Sequence, residues 1–194
     1  MITADRFDSI WFSSDHHFGH FNIIGFANRP FQTVEEMNKT MIDNWNAVVQ
    51  PTDTVYHLGD LTLNDYNYAG NIIQQLNGTI CLVTVPFHHD KRWYDKSFYY
   101  NGEYDYYTGS GHKLIYCQPI ELLKVDLGKE WPLKITLCHY PLEEWEASYH
   151  QALHFHGHSH GTLPYKINRV DVGCDCWDFA PVSLFDLLVY CGVL

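Results

Sequence analysis

The chain has 194 residues, 46% of them apolar and 18% charged, with 14 Tyr, 11 Phe and 6 Trp. That composition fits one globular domain spanning residues 1–194 with a sizeable core, and it excludes a disordered chain. The formal charge of −11, from 23 acidic against 12 basic residues, argues against a binder of long nucleic acid, which would show a basic stripe; a small phosphorylated substrate stays compatible, because metal ions reverse the local field inside an acidic protein.

Residues 9–14, Ser-Ile-Trp-Phe-Ser-Ser, read as a short buried strand with Asp15 just past its end. A helix follows over 33–49. Thr33 is its N-cap, Glu36 its capping-box partner, and Val34, Met37, Met41, Trp45 and Val48 form one apolar stripe. Pro51 ends it. Residues 54–58 are the next strand, with Gly59-Asp60 at its end. A second helix is expected over 66–76, closed by Asn77-Gly78. Residues 79–85 form the clearest strand, stopped by Pro86, and Phe87-His88-His89-Asp90 is a loop. Residues 95–111, rich in Tyr, Gly and Asp, carry no readable assignment. Strands are expected again at 113–117, 120–126 and 133–138, the last running into His139-Tyr-Pro141. A short strand over 152–156 precedes Gly157-His158-Ser159-His160-Gly161. Residues 165–172 and 184–190 read as closing strands.

The six cysteines include several inside apolar runs, such as Cys81 and Cys138, and no Cys-x-x-Cys pair occurs. They read as free thiols rather than a zinc ribbon. The N-terminus has no signal-peptide pattern, and no apolar run reaches membrane-spanning length. A cytoplasmic protein with no membrane partner is therefore the expectation.

One pattern outweighs the individual elements. Asp15, Asp60, His89, His139 and His158 each lie just after an expected strand. In α/β sheets ligands gather at the carboxyl ends of strands, so these clusters can converge on one point. Carboxylate oxygen combined with imidazole nitrogen suits Mn, Fe, Zn, Ni or Co. Asp15-x-His17 and His158-x-His160 each let two side chains point the same way from an extended loop. Gly157 and Gly161 permit close approach and unusual backbone angles around the second pair. Six or seven ligands exceed one tetrahedral site and suit two ions roughly 3.5–4 Å apart with a shared carboxylate, for which Asp60 is the candidate. A water between the ions would be the nucleophile.

Other residues weigh less. Arg92 and Arg29 are candidate phosphate clamps, and each also reads as a surface ion-pair partner. His57 reads as a packed or supporting histidine, and His16 and His20 as pocket-lining residues. His154 and His156 share one strand face and read as packing. Cys174-x-Cys176 has no matching pair. Gly-x-Ser-x-Gly is absent, which argues against a serine hydrolase.

In combination these residues resemble the calcineurin-like metallophosphoesterases. The resemblance lies in Asp15-His16-His17, Gly59-Asp60, Phe87-His88-His89-Asp90, His139 and Gly157-His158-Ser159-His160. The flanks Ser14–His20, Arg29-Pro-Phe31, Asn44-Trp-Asn46, Val55–Asp60 and Pro181-Val-Ser183 resemble a small bacterial or phage branch. The resemblance implies an α/β fold, a β-sandwich of two mixed sheets flanked by helices. It implies one divalent ion on Asp15, His17, Asp60 and His160, and a second on Asp60, His139, His158 and a ligand from the third motif. It implies hydrolysis of phosphomonoesters or phosphodiesters by a metal-bridging hydroxide, with His89 near the leaving-group oxygen. The third motif departs from the family's Gly-Asn: Phe87-His88 stands there. His88 can supply a nitrogen in place of the amide oxygen, or point away and leave its position to water. Three readings stay open: a dimetal phosphoesterase, a metallohydrolase of a non-phosphate bond, and a metal-binding protein that has lost turnover through the Phe87-His88 change.

Overall fold

The computed structural model describes residues 1–83, 89–94 and 105–194. Two mixed sheets flanked by helices make up the protein. The first has the order β4-β3-β2-β1-β9: β1 (Ile10–Ser13), β2 (Thr54–His57), β3 (Thr79–Leu82) and β4 (Ile115–Tyr116) run parallel, and β9 (Val182–Ser183) lies antiparallel on β1. The second has the order β5-β6-β7-β8. Here β5 (Ile120–Val125) is antiparallel to β6 (Leu133–Cys138), while β7 (Leu153–His156) and β8 (Arg169–Asp171) continue in parallel.

Two cores result. The first lies between the five-stranded sheet and the helices α2 (Val34–Val48) and α3 (Tyr66–Ile73). The Thr33 side chain caps α2 by accepting from the Glu36 N–H, and Glu36 reaches back to the Gln32 N–H. Met37, Met41 and Trp45, one turn apart, are fully buried against Val55 and Ile80. Each such side chain contributes roughly 1.5–3 kcal/mol by leaving water. Asp65 caps α3 through the Tyr68 N–H and turns Ala69, Ile72 and Ile73 inward.

The second core joins the two sheets and α4 (Leu184–Tyr190). Phe12 of β1 meets Phe155 of β7 edge-on, ring centroids 5.0 Å apart. Both sheets thus share apolar side chains, and the residues that follow β1, β2, β6 and β7 meet at one end. Among the described residues no helix is long and apolar enough to cross a membrane.

The structure corrects three sequence expectations. Residues 184–190 form a helix, not a strand: the Ser183 side chain accepts from the Asp186 N–H, and Leu184, Leu187 and Leu188 fall on one buried helical face. The expected strand 165–172 shrinks to Arg169–Asp171, because 166–169 close a tight turn with Asn168 at φ +62°. A short helix, α1 (Phe21–Phe26), occupies a segment with no expected element.

Across β7, Leu153 and Phe155 enter the second core, while His154 and His156 face away from it with their rings 5.5 Å apart. The Leu142 N–H donates to His154 Nε2 at 3.0 Å, so the ring proton sits on Nδ1 and is donated to the Thr136 carbonyl, also at 3.0 Å. Burial pushes this imidazole down to about 4, and the neighbouring His156 and Arg169 push the same way against the Thr136 bond. In the unfolded chain the ring takes up its proton near 6.5. Stability from this residue is therefore complete above that value and declines as pH falls from about 6.5 to about 4, by about 3 kcal/mol in total. In a His154→Gln variant, the fall in unfolding free energy between about pH 7.5 and about pH 4.5 should be smaller by about 2 kcal/mol. Denaturant titrations at the two pH values measure this, and equal falls in wild type and variant would discard it.

Candidate metal centre

The ends of β1, β2, β6 and β7 bring six side chains together as two donor groups: Asp15, His17 and His160 in one, Asp60, His139 and His158 in the other. Within each group the donor atoms lie within 4.8 Å of one another. Asp60 joins the groups, its Oδ2 being 3.5 Å from His17 Nε2 and 3.7 Å from His139 Nε2. His89 stands above the same oxygen at 4.0 Å with its side chain 46% exposed. His88 lies outside the described residues.

Backbone bonds zip the loops into register. The Asp15 N–H donates to the Gly59 carbonyl and the His17 N–H to the Asp60 carbonyl, both at 3.0 Å. Asp15, His17, Asp60, His158 and His160 all adopt left-handed backbone, with φ between +47° and +68°. Residues with a side chain rarely take that conformation, and strain of this kind concentrates at functional sites.

Hydrogen bonds on the far side of each ring aim the ligand nitrogens. His139 Nδ1 meets the Leu58 carbonyl at 2.7 Å, so it carries the proton and Nε2 keeps its lone pair toward Asp60. His160 Nδ1 meets Asp175 Oδ2 at 2.7 Å, which likewise frees Nε2. A carboxylate behind a metal-binding histidine fixes its tautomer and raises its basicity. Burial holds the His17 imidazole well below its ordinary value, which keeps it neutral as a ligand must be. Both His17 ring nitrogens and Asp15 Oδ1 are buried without a hydrogen-bond partner among the described residues. Burial, and then the Asp60 charge, push the Asp15 carboxyl up to about 8. Two buried carboxylates and open imidazole nitrogens at this spacing are what divalent cations satisfy, so the residues fit the ions that the resemblance implies.

Beneath the site lies a buried layer whose role the sequence left undecided. Arg29, expected as a phosphate clamp or a surface ion-pair partner, is an ion-pair partner, but a buried one. Its guanidinium grips both Asp175 oxygens at 2.8 Å and donates to the carbonyls of Asp15 and His16 at 2.7 and 2.8 Å. Burial alone would raise the Asp175 carboxyl, but the bonds from His160 and then from Arg29 pull it down to about 2. Arg92 is exposed and outside the residues lining the cleft above the donors. His16 and His57 form a buried pair 3.0 Å apart. His57 Nδ1 accepts from the Gly59 N–H, so its Nε2 proton points at His16. Burial pushes His57 down to about 3, and both rings are neutral. Asp90 accepts from the N–H groups of Asp60, Leu61 and Thr62 and fixes that turn.

Asp175 and Asp171 were not singled out in the sequence. Asp171 holds the histidine loop through Ser159 Oγ at 2.7 Å and the Gly161 N–H at 2.9 Å. No spacing rule points to either: Asp171 is the last residue of β8, Asp175 follows it by four, and both act through the fold.

Gly157 shows how tightly the centre is built. A Cβ there would sit 2.1 Å from Ser14 Oγ and 2.3 Å from Asp15 Oδ2, the oxygen that receives the His158 N–H. Gly157→Ala should therefore displace Asp15, weaken divalent-ion binding by about 10–100-fold and cost about 1–3 kcal/mol of stability. Calorimetric titration with Mn or Zn gives the affinity, and wild-type binding in the variant would refute the close packing.

The comparisons with known proteins leave the activity open. No family model matches the chain. A stretch of 84 residues is 52% identical to an uncharacterized protein, MJ1445, of Methanocaldococcus jannaschii, covering 42% of this chain and 47% of that one. Another of 52 residues is 40% identical to the gene 66 protein of Mycobacterium phage L5, covering 27% of this chain and 25% of that protein. The chain thus spans about half the length of the first relative and a quarter of the second. The crystal structure of AQ665 from Aquifex aeolicus, a protein of unknown function, superposes with a TM-score of 0.64. It is 24% identical, and the match covers 93% of this chain and 98% of that one, so the fold is shared.

Proposed function

We propose that the chain is a metal-dependent phosphoester hydrolase of the calcineurin-like kind, with two divalent ions sharing Asp60. The observation that carries this reading is the position of Asp60 Oδ2 between His17 Nε2 and His139 Nε2, which links two three-residue donor groups. The two mixed sheets with a shared core are compatible with the sandwich of that family. Asp15, His17 and His160 would hold one ion, His139 and His158 the other, with Asp60 common to both. Their mixed nitrogen and oxygen character favours Mn, Fe, Zn or Ni. Bound there, two cations supply Lewis-acid activation of water and of the phosphoryl group.

The protein's own residues have distinct tasks. Asp60 offsets the repulsion between the cations. Asp175 and the Leu58 carbonyl orient His160 and His139. His89, exposed to the cleft and 4.0 Å from Asp60 Oδ2, can deliver a proton to the departing oxygen. The substrate is a small phosphorylated molecule. Turnover of p-nitrophenyl phosphate, bis-p-nitrophenyl phosphate and p-nitrophenyl phenylphosphonate with added Mn tests the proposal. Cleavage of a lactone but no phosphoester would move the protein to another class of metallohydrolase, and bound metal with no turnover would make it a metal-binding protein.

His89→Ala should keep the metal content and lower turnover by about 10²–10⁴-fold, most for poor leaving groups. Rates on an activated p-nitrophenyl ester and on an unactivated alkyl ester separate the cases. An equal loss on both would remove His89 from the leaving-group role.

A further inference from the structure

The donor groups open into a cleft of about 760 Å³ whose walls differ sharply from its floor. The floor holds His17, Asp60, His158 and His160, and the rim carries apolar side chains from a short helix and two loops. On one side α1 supplies Ile23 and Phe26, the latter 79% exposed. On the other side Leu163 is 41% exposed and Pro141 lies nearby. His20 meets Phe26 edge-on at 6.5 Å, which braces the aromatic ring beside the donors. Among the described residues that line the cleft there is no Lys or Arg. The nearest guanidinium described beneath the floor, Arg29, is buried and spent on Asp175.

These facts constrain the substrate. A phosphomonoester or polyphosphate brings more negative charge than a diester, and the described walls, which hold His20 and His89 but no Lys or Arg, in a chain of net charge −11, offer it little fixed counter-charge. A phosphodiester carries a single negative charge and a second organic group that must lie somewhere. An exposed aromatic ring at the mouth of a polar site gains most from a flat partner, through stacking and removal of apolar surface from water. We infer that the cleft selects phosphodiesters bearing an aromatic substituent, with Phe26 as the residue that selects it. This rests on the hydrolase reading and narrows it.

The test uses three p-nitrophenyl diesters with one leaving group and one charge: the methyl, phenyl and thymidine-5′ esters. In each, water adds to phosphorus, the P–O bond to p-nitrophenolate breaks, and the products are the residual monoester, p-nitrophenolate and a proton. The wild type should cleave the phenyl or thymidine ester with kcat/KM about 10-fold above the methyl ester, and all three above p-nitrophenyl phosphate. A preference for thymidine over phenyl identifies a nucleobase as the aromatic group, and the reverse identifies a simple aryl group. Phe26→Ala should erase the aryl-to-methyl ratio mainly through KM, and Phe26→Trp should restore it. Phe26 is exposed, so neither change disturbs the core. Equal cleavage of methyl and aryl esters by the wild type, or a ratio unchanged in Phe26→Ala, overturns the inference while the hydrolase reading stands. No cleavage of any ester overturns both.

Discussion

Asp60→Asn is expected to strip both donor groups of their ions and to reduce hydrolysis by more than about 100-fold, the upper range for changes one step outside a metal site. One carboxylate oxygen faces His17 and His139 together. An amide offers one neutral oxygen and turns an N–H₂ toward the other cation, so it cannot serve both. The fold should survive, because Asn tolerates the left-handed backbone at φ +57° and the Asp60 N–H bond to Asp90 does not use the side chain. The metal-free variant should in fact be more stable than metal-free wild type, since the Asp60 charge helps to push Asp15 up to about 8. Metal stoichiometry, turnover and a melting curve in chelator separate a lost bridge from a lost fold. Two bound ions with normal turnover would end the bridging assignment.

Arg29→Met carries the largest expected loss of stability. The change leaves the Asp175 carboxylate short of two charge-assisted bonds and the carbonyls of Asp15 and His16 without the donors that now reach them. Removing one partner of a buried ion pair costs about 3–5 kcal/mol, which for a chain of this size is a drop in Tm on the order of 10 °C. Arg29→Lys should recover only part, because a point charge cannot form the fork that meets both Asp175 oxygens. Metal affinity should fall as well, through the loosened His160. Thermal melts of the three proteins with and without Mn decide it, and an unchanged Tm in Arg29→Met would show that the guanidinium is dispensable.

The sequence carried the structure unevenly, for physical reasons. The helix over 34–48 was legible because its cap, its stripe and its stop agree, and the strands before Asp15, Asp60, His139 and His158 were short apolar runs cut off by polar residues. The helix over 184–190 was misread because Leu-Phe and Leu-Leu-Val resemble a buried strand. The deciding signal was Ser183 followed three residues later by Asp186. Of the donor groups, Asp15, Asp60, His139 and His158 were legible from their place at strand ends and His17 and His160 from their spacing to Asp15 and His158, whereas Asp175 and Asp171 gave no local sign. They act across the fold, on His160 from fifteen residues away and on Ser159 from twelve. Arg29 read as a phosphate clamp or a surface ion-pair partner, and only the burial of its side chain within an otherwise exposed loop shows that it works from below.

The left-handed backbone at five of the six donor positions has a consequence for how this chain can drift. Glycine accepts that conformation without penalty, while Asp and His hold it at a cost that most other side chains would exceed. A mutation to Gly at Asp15, His17, Asp60, His158 or His160 would relax the main chain and delete a donor in one step. A lineage released from the need to bind cations would slide toward glycine at these places, gaining folded stability as it lost the centre. In this chain all five carry a carboxylate or an imidazole, so each keeps a potential donor atom at the expense of an easier main chain.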